Sequence, residues 1–331
     1  MKKRIAFGFA LVFALLVTGL VLSEKSGKDS MAETTVGLIR QTDATETSVT
    51  VSWEGTAGQY LMYQYTSSGQ EVGKLGVVTS PVTIDSLMPG STNFFKIFEC
   101  DPEGNKISED DPGIMLQGMR TLPKQQAKPE LTYWYRASDE ADISWASDGQ
   151  VDGYQIRVEK LNGKKLSSAT ITASSVSGQA TVMKTIKPCY RGRVARVRVR
   201  GYINLNNGKK KYYGEWSEPL YYASAKEIKL SGGGDTIHVS GLKVKDASKK
   251  EVFVSPKKNK GFEMAALVKD KDTKCQFSEY GEHMISSGTS GRTYYIRVYY
   301  YFEVDGKEMK SPVYDEGSVY VKPAYFDIEV D

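Results

Sequence analysis

Catalysis needs residues that move protons, hold metals or attack electrophiles, and this chain is poor in them. Among 331 residues there are two histidines, His238 and His283. The first sits inside an alternating stretch and the second beside a turn, and with two histidines in all, triads and His-based metal sites have few possible members. The chain has no Cys-x-x-Cys, no His-Glu-x-x-His and no phosphate-cradling glycine loop ahead of a helix. Ser231-Gly232-Gly233-Gly234-Asp235 is glycine-rich but lies between strand-like runs, where it reads as a turn. Carboxylates gather at Glu109-Asp110-Asp111 and at Asp270 and Asp272. Neither string has the spacing of an EF-hand loop, and both read as solvated loop charge. The expectation is a chain with no catalytic residue, metal site or cofactor.

Three constellations suit non-covalent contact instead. In Ala195-Arg196-Val197-Arg198-Val199-Arg200, strand alternation puts Val197 and Val199 on one face and Arg196, Arg198 and Arg200 on the other. Three like charges spaced two apart repel unless something covers them. Trp216, expected on the following strand, is a candidate to stack between the guanidinium planes. Tyr294–Phe302 is the densest aromatic run. Alternation sends Tyr294, Ile296, Val298 and Tyr300 inward and Tyr295, Arg297, Tyr299 and Tyr301 outward, a row suited to sugar rings or a partner's aliphatic side chains. Both sets can equally be satisfied within their own sheets, by cross-strand pairing. Lys209-Lys210-Lys211 and Lys257, Lys258 and Lys260 are cationic clusters that would meet an anionic polymer or headgroup, or simply keep loop tips and edges soluble.

The elements that must position these residues are strands. A five-residue phrase occurs three times: Val49-Thr50-Val51-Ser52-Trp53, Ala141-Asp142-Ile143-Ser144-Trp145 and Ile237-His238-Val239-Ser240-Gly241. Its last residues lie 92 and then 96 residues apart. A period of that size is one small domain, so the chain reads as three copies of one unit. Further strands are expected at Tyr60–Tyr65, Val82–Leu87, Phe94–Cys100 and Met115–Thr121. In the second copy they are Val151–Val158, Val194–Tyr202 and Tyr212–Tyr222. In the third they are Glu251–Ser255, Phe262–Val268, Gln276–Ser278, Tyr294–Val304 and Val313–Val321. Turn signals such as Met88-Pro89-Gly90-Ser91, Asp101-Pro102-Glu103-Gly104, Asn162-Gly163, Asn206-Asn207-Gly208 and Asp305-Gly306 separate them. No amphipathic helix of ten residues is visible beyond the start of the chain. Strands at this spacing argue an all-β chain of Greek-key sandwiches.

These residues resemble the fibronectin type III family. The resemblance is carried by Trp53 and Trp145 on the second strand, by Val151-Asp152-Gly153-Tyr154, and by the turn Leu87-Met88-Pro89-Gly90. The alternating late strands and Gly214-Glu215-Trp216-Ser217 add to it. It covers roughly residues 35–322. The third copy departs from it by having Gly241 in place of the Trp, and in the first copy Asn93 and Lys96 disturb the alternation in either register. The resemblance implies three tandem fibronectin type III-like sandwiches, at 33–123, 130–223 and 225–322, joined by short links of which Leu122–Pro129 is proline-bracketed and stiff. Residues 323–331 form an acidic tail. The Arg row with Trp216 is similar to the Trp–Arg ladder of cytokine-receptor modules in the same family. The family implies a binding or spacer role and names no ligand. Its attachment tripeptide Arg-Gly-Asp is absent, Arg191-Gly192-Arg193 being the nearest string.

The start of the chain reads as an export segment spanning residues 1–32. Lys2, Lys3 and Arg4 precede an uncharged, mostly apolar run, Ile5 to Leu22, of 18 residues. Ser30-Met31-Ala32 offers a small-x-small cleavage pattern, so the segment is either a cleaved signal or an uncleaved membrane anchor. Absence of a Cys after the run argues against lipid modification, and the C-terminal end lacks a sortase-type signal. The formal net charge is +4, with five cations and two acids in residues 1–32 contributing +3. The near-neutral remainder gives no nucleic-acid signature. Cys100, Cys189 and Cys275 fall one to a unit at different positions, which is not a disulfide framework. The function expected is an exported, non-catalytic binding or adhesion protein, secreted or membrane-anchored at the cell surface, contacting an extracellular protein or polysaccharide. The alternative is a spacer or accessory subunit of an extracellular assembly with no ligand of its own. Membrane contact is expected only through the N-terminal segment.

Overall fold

The computed structural model describes residues 37–323 apart from 56, 176–177 and 206–209. The export segment, the acidic tail, the Asn206-Asn207-Gly208 turn and Lys209 therefore lie outside the described residues. Among the described residues the chain is all-β, with one short 3₁₀ turn and no helix long and apolar enough to cross a membrane. It forms three antiparallel sandwiches in succession.

The first unit contains β1 (Gly37–Ala44), β2 (Val49–Glu54), β3 (Tyr60–Tyr65), β4 (Glu71–Val78), β5 (Val82–Ile84), β6 (Thr92–Glu99) and β7 (Ile114–Arg120). One sheet has the order β1-β2-β5 and the other β4-β3-β6-β7. The second unit contains β8 (Glu130–Tyr135), β9 (Glu140–Ala146), β10 (Gly153–Lys160), β11 (Lys165–Thr172), β12 (Thr181–Ile186), β13 (Arg193–Leu205), β14 (Lys210–Tyr213) and β15 (Leu220–Ser224). Its sheets are β12-β9-β8 and β11-β10-β13-β14, with β15 also on β13. The third contains β16 (Lys229–Gly233), β17 (Thr236–Ser240), β18 (Lys249–Ser255), β19 (Glu263–Lys269), β20 (Lys274–Phe277), the two-residue strands β21 (Glu279–Tyr280) and β22 (His283–Met284), β23 (Arg292–Val304) and β24 (Lys307–Val321). Its main sheets are β16-β17-β20 and β19-β18-β23-β24. A three-stranded sheet facing a four-stranded one, with the same chain order each time, is the fibronectin type III arrangement.

The repeated phrase lies where its alternation puts it. Val49, Val51 and Trp53 are buried on β2, and Ala141, Ile143 and Trp145 on β9. Trp53 meets Tyr60 edge-on at 5.6 Å and Trp145 meets Tyr154 at 5.5 Å, the geometry that the ring quadrupole favours. Gly241 has φ +78° and faces the Glu227 carbonyl so closely that a Cβ would sit 2.2 Å from the oxygen. No tryptophan fits there. The third core instead pairs Tyr280 with Tyr294 at 6.0 Å, and the Tyr294 hydroxyl accepts from Ser286 N–H at 2.9 Å, a tyrosine corner.

The departures from expectation have local causes. Strands β1, β4, β8, β11, β12 and β16 are not announced by the sequence, because they are outer strands, several of them bulged, and carry few inward apolar residues. The expected Val82–Leu87 strand ends at Ile84, although Leu87 is still buried in the turn. Tyr212–Tyr222 is not one strand but two, broken at Gly214–Pro219, where proline removes a ladder donor. On β6 the register resolves with Asn93, Phe95 and Ile97 inward. Asn93 is buried but satisfied, its Nδ2 donating to Ser91 Oγ at 2.9 Å and Met119 O at 3.3 Å.

Units two and three share a core. Val194 and Ala223 of the second belong to the apolar cluster of the third, and Val313 of β24 belongs to the cluster of the second. The backbone joins as well: Val194 N–H donates to Lys245 O at 2.9 Å and Lys245 N–H to Gly192 O at 3.0 Å. Contacts between units one and two are more polar. Arg120 Nη1 meets Asp152 Oδ2 at 2.7 Å, Gln125 donates to Trp216 O at 2.7 Å, and Pro123 packs where Gly201 and Gly214 leave room.

Candidate functional site

The arginine row is brought together as expected, but its main partner is a residue the sequence did not single out. Val197 and Val199 are fully buried, while Arg196, Arg198 and Arg200 lie half-buried on the outer face of β13. Register places Glu159, Arg157 and Gln155 of β10 opposite them in turn. The Glu159 side chain is wholly covered and takes Arg196 Nε at 2.6 Å, Arg198 Nη2 at 2.9 Å and Arg157 Nε at 2.9 Å. Arg200 donates to Gln155 Oε1 at 2.8 Å.

Trp216 is not on a strand, contrary to expectation. It sits in the Gly214–Pro219 break, pinned because Ser217 N–H donates to Val199 O at 2.8 Å and Ser217 Oγ accepts from Val199 N–H at 3.0 Å. From there its ring faces Arg200 at 4.3 Å, Arg198 at 5.3 Å and Arg157 at 5.7 Å, and Tyr213 takes the other side of Arg200 at 4.0 Å. Arg196 belongs to Glu159 and not to Trp216. Burial lowers the pKa of Arg200 from its ordinary value. The charges of the row are thus met by Glu159, Gln155 and the rings of Trp216 and Tyr213 from within the same unit.

The aromatic row on β23 also has the expected faces. Tyr294, Ile296, Val298 and Tyr300 are fully buried. Tyr295, Arg297, Tyr299 and Tyr301 face outward but are half-buried rather than a bare exposed row, because neighbouring strands lay side chains across them. Tyr299 is wedged between Phe253 at 5.4 Å and Tyr314 at 5.2 Å, with Lys310 Nζ 3.8 Å over its ring. Arg297 lies between the rings of Phe262, at 4.1 Å, and Tyr314, at 4.8 Å. Tyr301 donates to Glu251 Oε2 at 2.6 Å and carries Lys249 Nζ at 4.5 Å. Burial, then the Glu251 carboxylate, pushes its phenol pKa far up. Tyr295 differs: among the described residues no ring or cation stacks on it.

Tyr295 opens instead into a cleft of about 920 Å³ at the joint of units two and three. Phe262 and Tyr295 form its aromatic wall. Arg136, Arg191, Lys226 and Lys258 bring positive charge, and Glu227 and Glu316 bring negative. Beneath it Asp315, a wholly covered carboxylate of β24, ties the units together. Its Oδ2 accepts from Ala225 N–H at 2.7 Å and Tyr300 O–H at 2.6 Å. Its Oδ1 faces Arg136 Nε at 3.3 Å and Arg191 Nη2 at 4.0 Å. Arg191 also donates to Ala225 O at 3.0 Å and Arg136 O at 3.2 Å. This joint is not legible from local patterning, because its parts lie up to 180 residues apart.

The remaining chemistry-bearing residues are dispersed. His238 is exposed on β17, and His283 is exposed beside Glu263 at 3.5 Å. Gly234 and Asp235 have φ of 57° and 59° in a tight hairpin turn. Asp270 and Asp272 act through their carbonyls: with Lys269 O they receive the buried Lys250 ammonium at 2.5–3.1 Å. All three cysteines are free thiols. Among the described residues no three His, Cys, Asp or Glu converge as metal ligands. Lys210 and Lys211 lie over Tyr212 and Tyr202 at 4.4 Å, while Lys257, Lys258 and Lys260 are exposed.

No family model matches the chain, and no curated protein matches it. Solved structures to which it is similar include the FN1–FN3 domains of chicken CNTN1, at 14% identity and TM-score 0.26, covering 87% of this chain and 98% of that one. A two-domain fibronectin type III segment of chicken tenascin aligns at 14% identity and TM-score 0.30, over 56% of this chain and 96% of that one. A tetra-tandem repeat from the extending region of a large adhesion protein aligns at 12% identity and TM-score 0.28, over 85% and 73%.

Proposed function

We propose that this chain is an exported, non-catalytic binding protein of the cell surface or extracellular space. In this reading the third sandwich presents its outer aromatic face, and the cleft at its joint with the second, to an extracellular polysaccharide or protein. The observation that carries the proposal is Tyr295. Among the described residues it is the aromatic of the outward row without a stacking partner of its own, and it opens beside Phe262 into the cleft at the joint of units two and three. An aromatic wall next to convergent polar groups is the usual make-up of a ligand site. The Arg196–Arg198–Arg200 row with Trp216 serves here as support, since its charges are already paired.

The test is a binding screen of residues 33–331 against glycans, cell-wall polymers and extracellular proteins, run beside Tyr295→Ala/Tyr299→Ala/Tyr301→Ala with its fold checked by circular dichroism. A partner bound by the parent and lost by the folded variant supports the proposal. A partner bound equally by both places recognition elsewhere. A second reading, a spacer in an extracellular assembly, is favoured by the shared core of units two and three. It would be preferred if no partner binds and the joint alone proves essential to assembly.

A further inference from the structure

Charge and shape in the joint cleft narrow the ligand. Arg136, Arg191, Lys226 and Lys258 face it against two carboxylates, Glu227 and Glu316. Asp315 beneath the floor is shared by both guanidiniums, and Arg297 Nε lies 3.8 Å from Glu316. Lys226 and Lys258 are exposed and form no ion pair among the described residues. The cleft therefore keeps a positive surplus inside a body that is close to neutral, at the end of a row of aromatic rings. Concave walls of low dielectric concentrate such a field.

Backbone pairing separates sugar from peptide. The aromatic face sits on β23, which is paired along its length by β18 on one side and β24 on the other. An extended peptide usually binds by adding a strand to a free edge; β23 offers none, and at the cleft the edge strand β24 already has Arg136 donating to Glu316 O, which blocks a ladder there. A pyranose needs none: its C–H face lies on an aromatic ring while hydroxyls and an acid group take polar contacts.

We propose, building on the binding function above, that the joint cleft holds the acidic sugar unit of an anionic polysaccharide. The sugar ring lies against Tyr295 and Phe262, and its carboxylate lies towards Arg191, Lys226 and Lys258. Neighbouring sugars of the polymer continue over the Arg297, Tyr299 and Tyr301 face.

The experiment uses residues 33–331 and measures binding to polygalacturonate, to neutral dextran and to poly-L-glutamate by calorimetry and affinity electrophoresis at low and moderate salt. Lys226→Glu/Lys258→Glu changes two exposed side chains, so its fold is expected to survive, with circular dichroism as the check; Tyr295→Ala is the second variant. The expected result is binding to polygalacturonate that weakens as salt rises. It should fall at least tenfold in the lysine pair and at least fivefold in Tyr295→Ala, with dextran weak and poly-L-glutamate a poor competitor. Dextran bound as well as polygalacturonate, with the lysine pair unaffected, overturns the acidic-sugar assignment and leaves the binding face standing. Equal competition by poly-L-glutamate overturns it as mere charge attraction. No polymer bound also overturns it, and the binding function falls with it only if the wider partner screen is negative too.

Discussion

Removing the Asp315 carboxylate should loosen the joint on which the site depends. In Asp315→Ala the Ala225 N–H and the Tyr300 O–H lose their acceptor. A buried donor left unsatisfied costs about 1–3 kcal/mol. Arg136 and Arg191 also lose their shared counter-charge, and breaking a buried pair costs about 3–5 kcal/mol. These costs overlap, and the two guanidiniums are 27% and 16% exposed, so water repays part. The expected loss is about 4 kcal/mol. Asp315→Asn keeps an acceptor oxygen and should lose about 2 kcal/mol. Units two and three share a core and should unfold as one body of roughly 200 residues, for which 1 kcal/mol moves Tm by about 2–4 °C. Calorimetry should therefore show a fall of about 8–16 °C in Asp315→Ala, with the joint transition of units two and three splitting in two. A loss below about 1 kcal/mol with the transition still single would refute the reasoning, since a carboxylate with these partners cannot be that dispensable.

Other predictions follow from particular groups. Glu159→Gln should destabilise the second unit by about 2–3 kcal/mol in urea unfolding, because Arg157, Arg196 and Arg198 converge on that carboxylate; Trp216→Ala should cost less, about 1 kcal/mol. Lys250→Met should cost about 2 kcal/mol, since three carbonyls lose their ammonium, and Lys250→Arg should not restore it. Burial pushes the Cys275 thiol up to about 11. The folded chain then holds that proton where the unfolded chain has lost it, so the thiol's contribution is complete below pH 9 and fades as pH rises towards 11. Thermal melts from pH 8 to 10.5 should show a steeper decline for the parent than for Cys275→Ser. Native Cys100 and Cys189 are buried and Cys275 is half-buried with a raised pKa, so all three should react with Ellman's reagent far more slowly than in urea.

How much of this was readable from the chain depended on whether the information was local. Val49, Val51 and Trp53 announce a half-buried strand within five residues, and the alternation of Tyr294 to Tyr301 separates core from surface correctly. Alternation also marks Lys250 as inward, on the same face as Val252 and Val254, but the carbonyls that receive it come from a turn about 20 residues on. Glu159 had a weaker local sign: Gln155, Arg157 and Glu159 alternate on one strand as Arg196, Arg198 and Arg200 do on its neighbour. Matching them needs the register, which pairs Glu159 with Arg196. The cleft had none, because Arg136, Arg191, Lys226 and Tyr295 meet only once two sandwiches have docked. Gly214-Glu215-Trp216-Ser217 reads as strand, yet its backbone meets β13 only at two separate points, Gly214 N–H to Gly201 O at 3.0 Å and Ser217 N–H to Val199 O at 2.8 Å.

The most direct test of the account is hydrogen–deuterium exchange on residues 33–331 with and without saturating polygalacturonate. Added protection is predicted around Arg136–Ala137, Lys226–Glu227, Lys258–Phe262 and the Tyr295 and Glu316–Ser318 segments of β23 and β24, which line the cleft. Protection confined to the Trp216 face or to the first unit, or no protection at all, would contradict it.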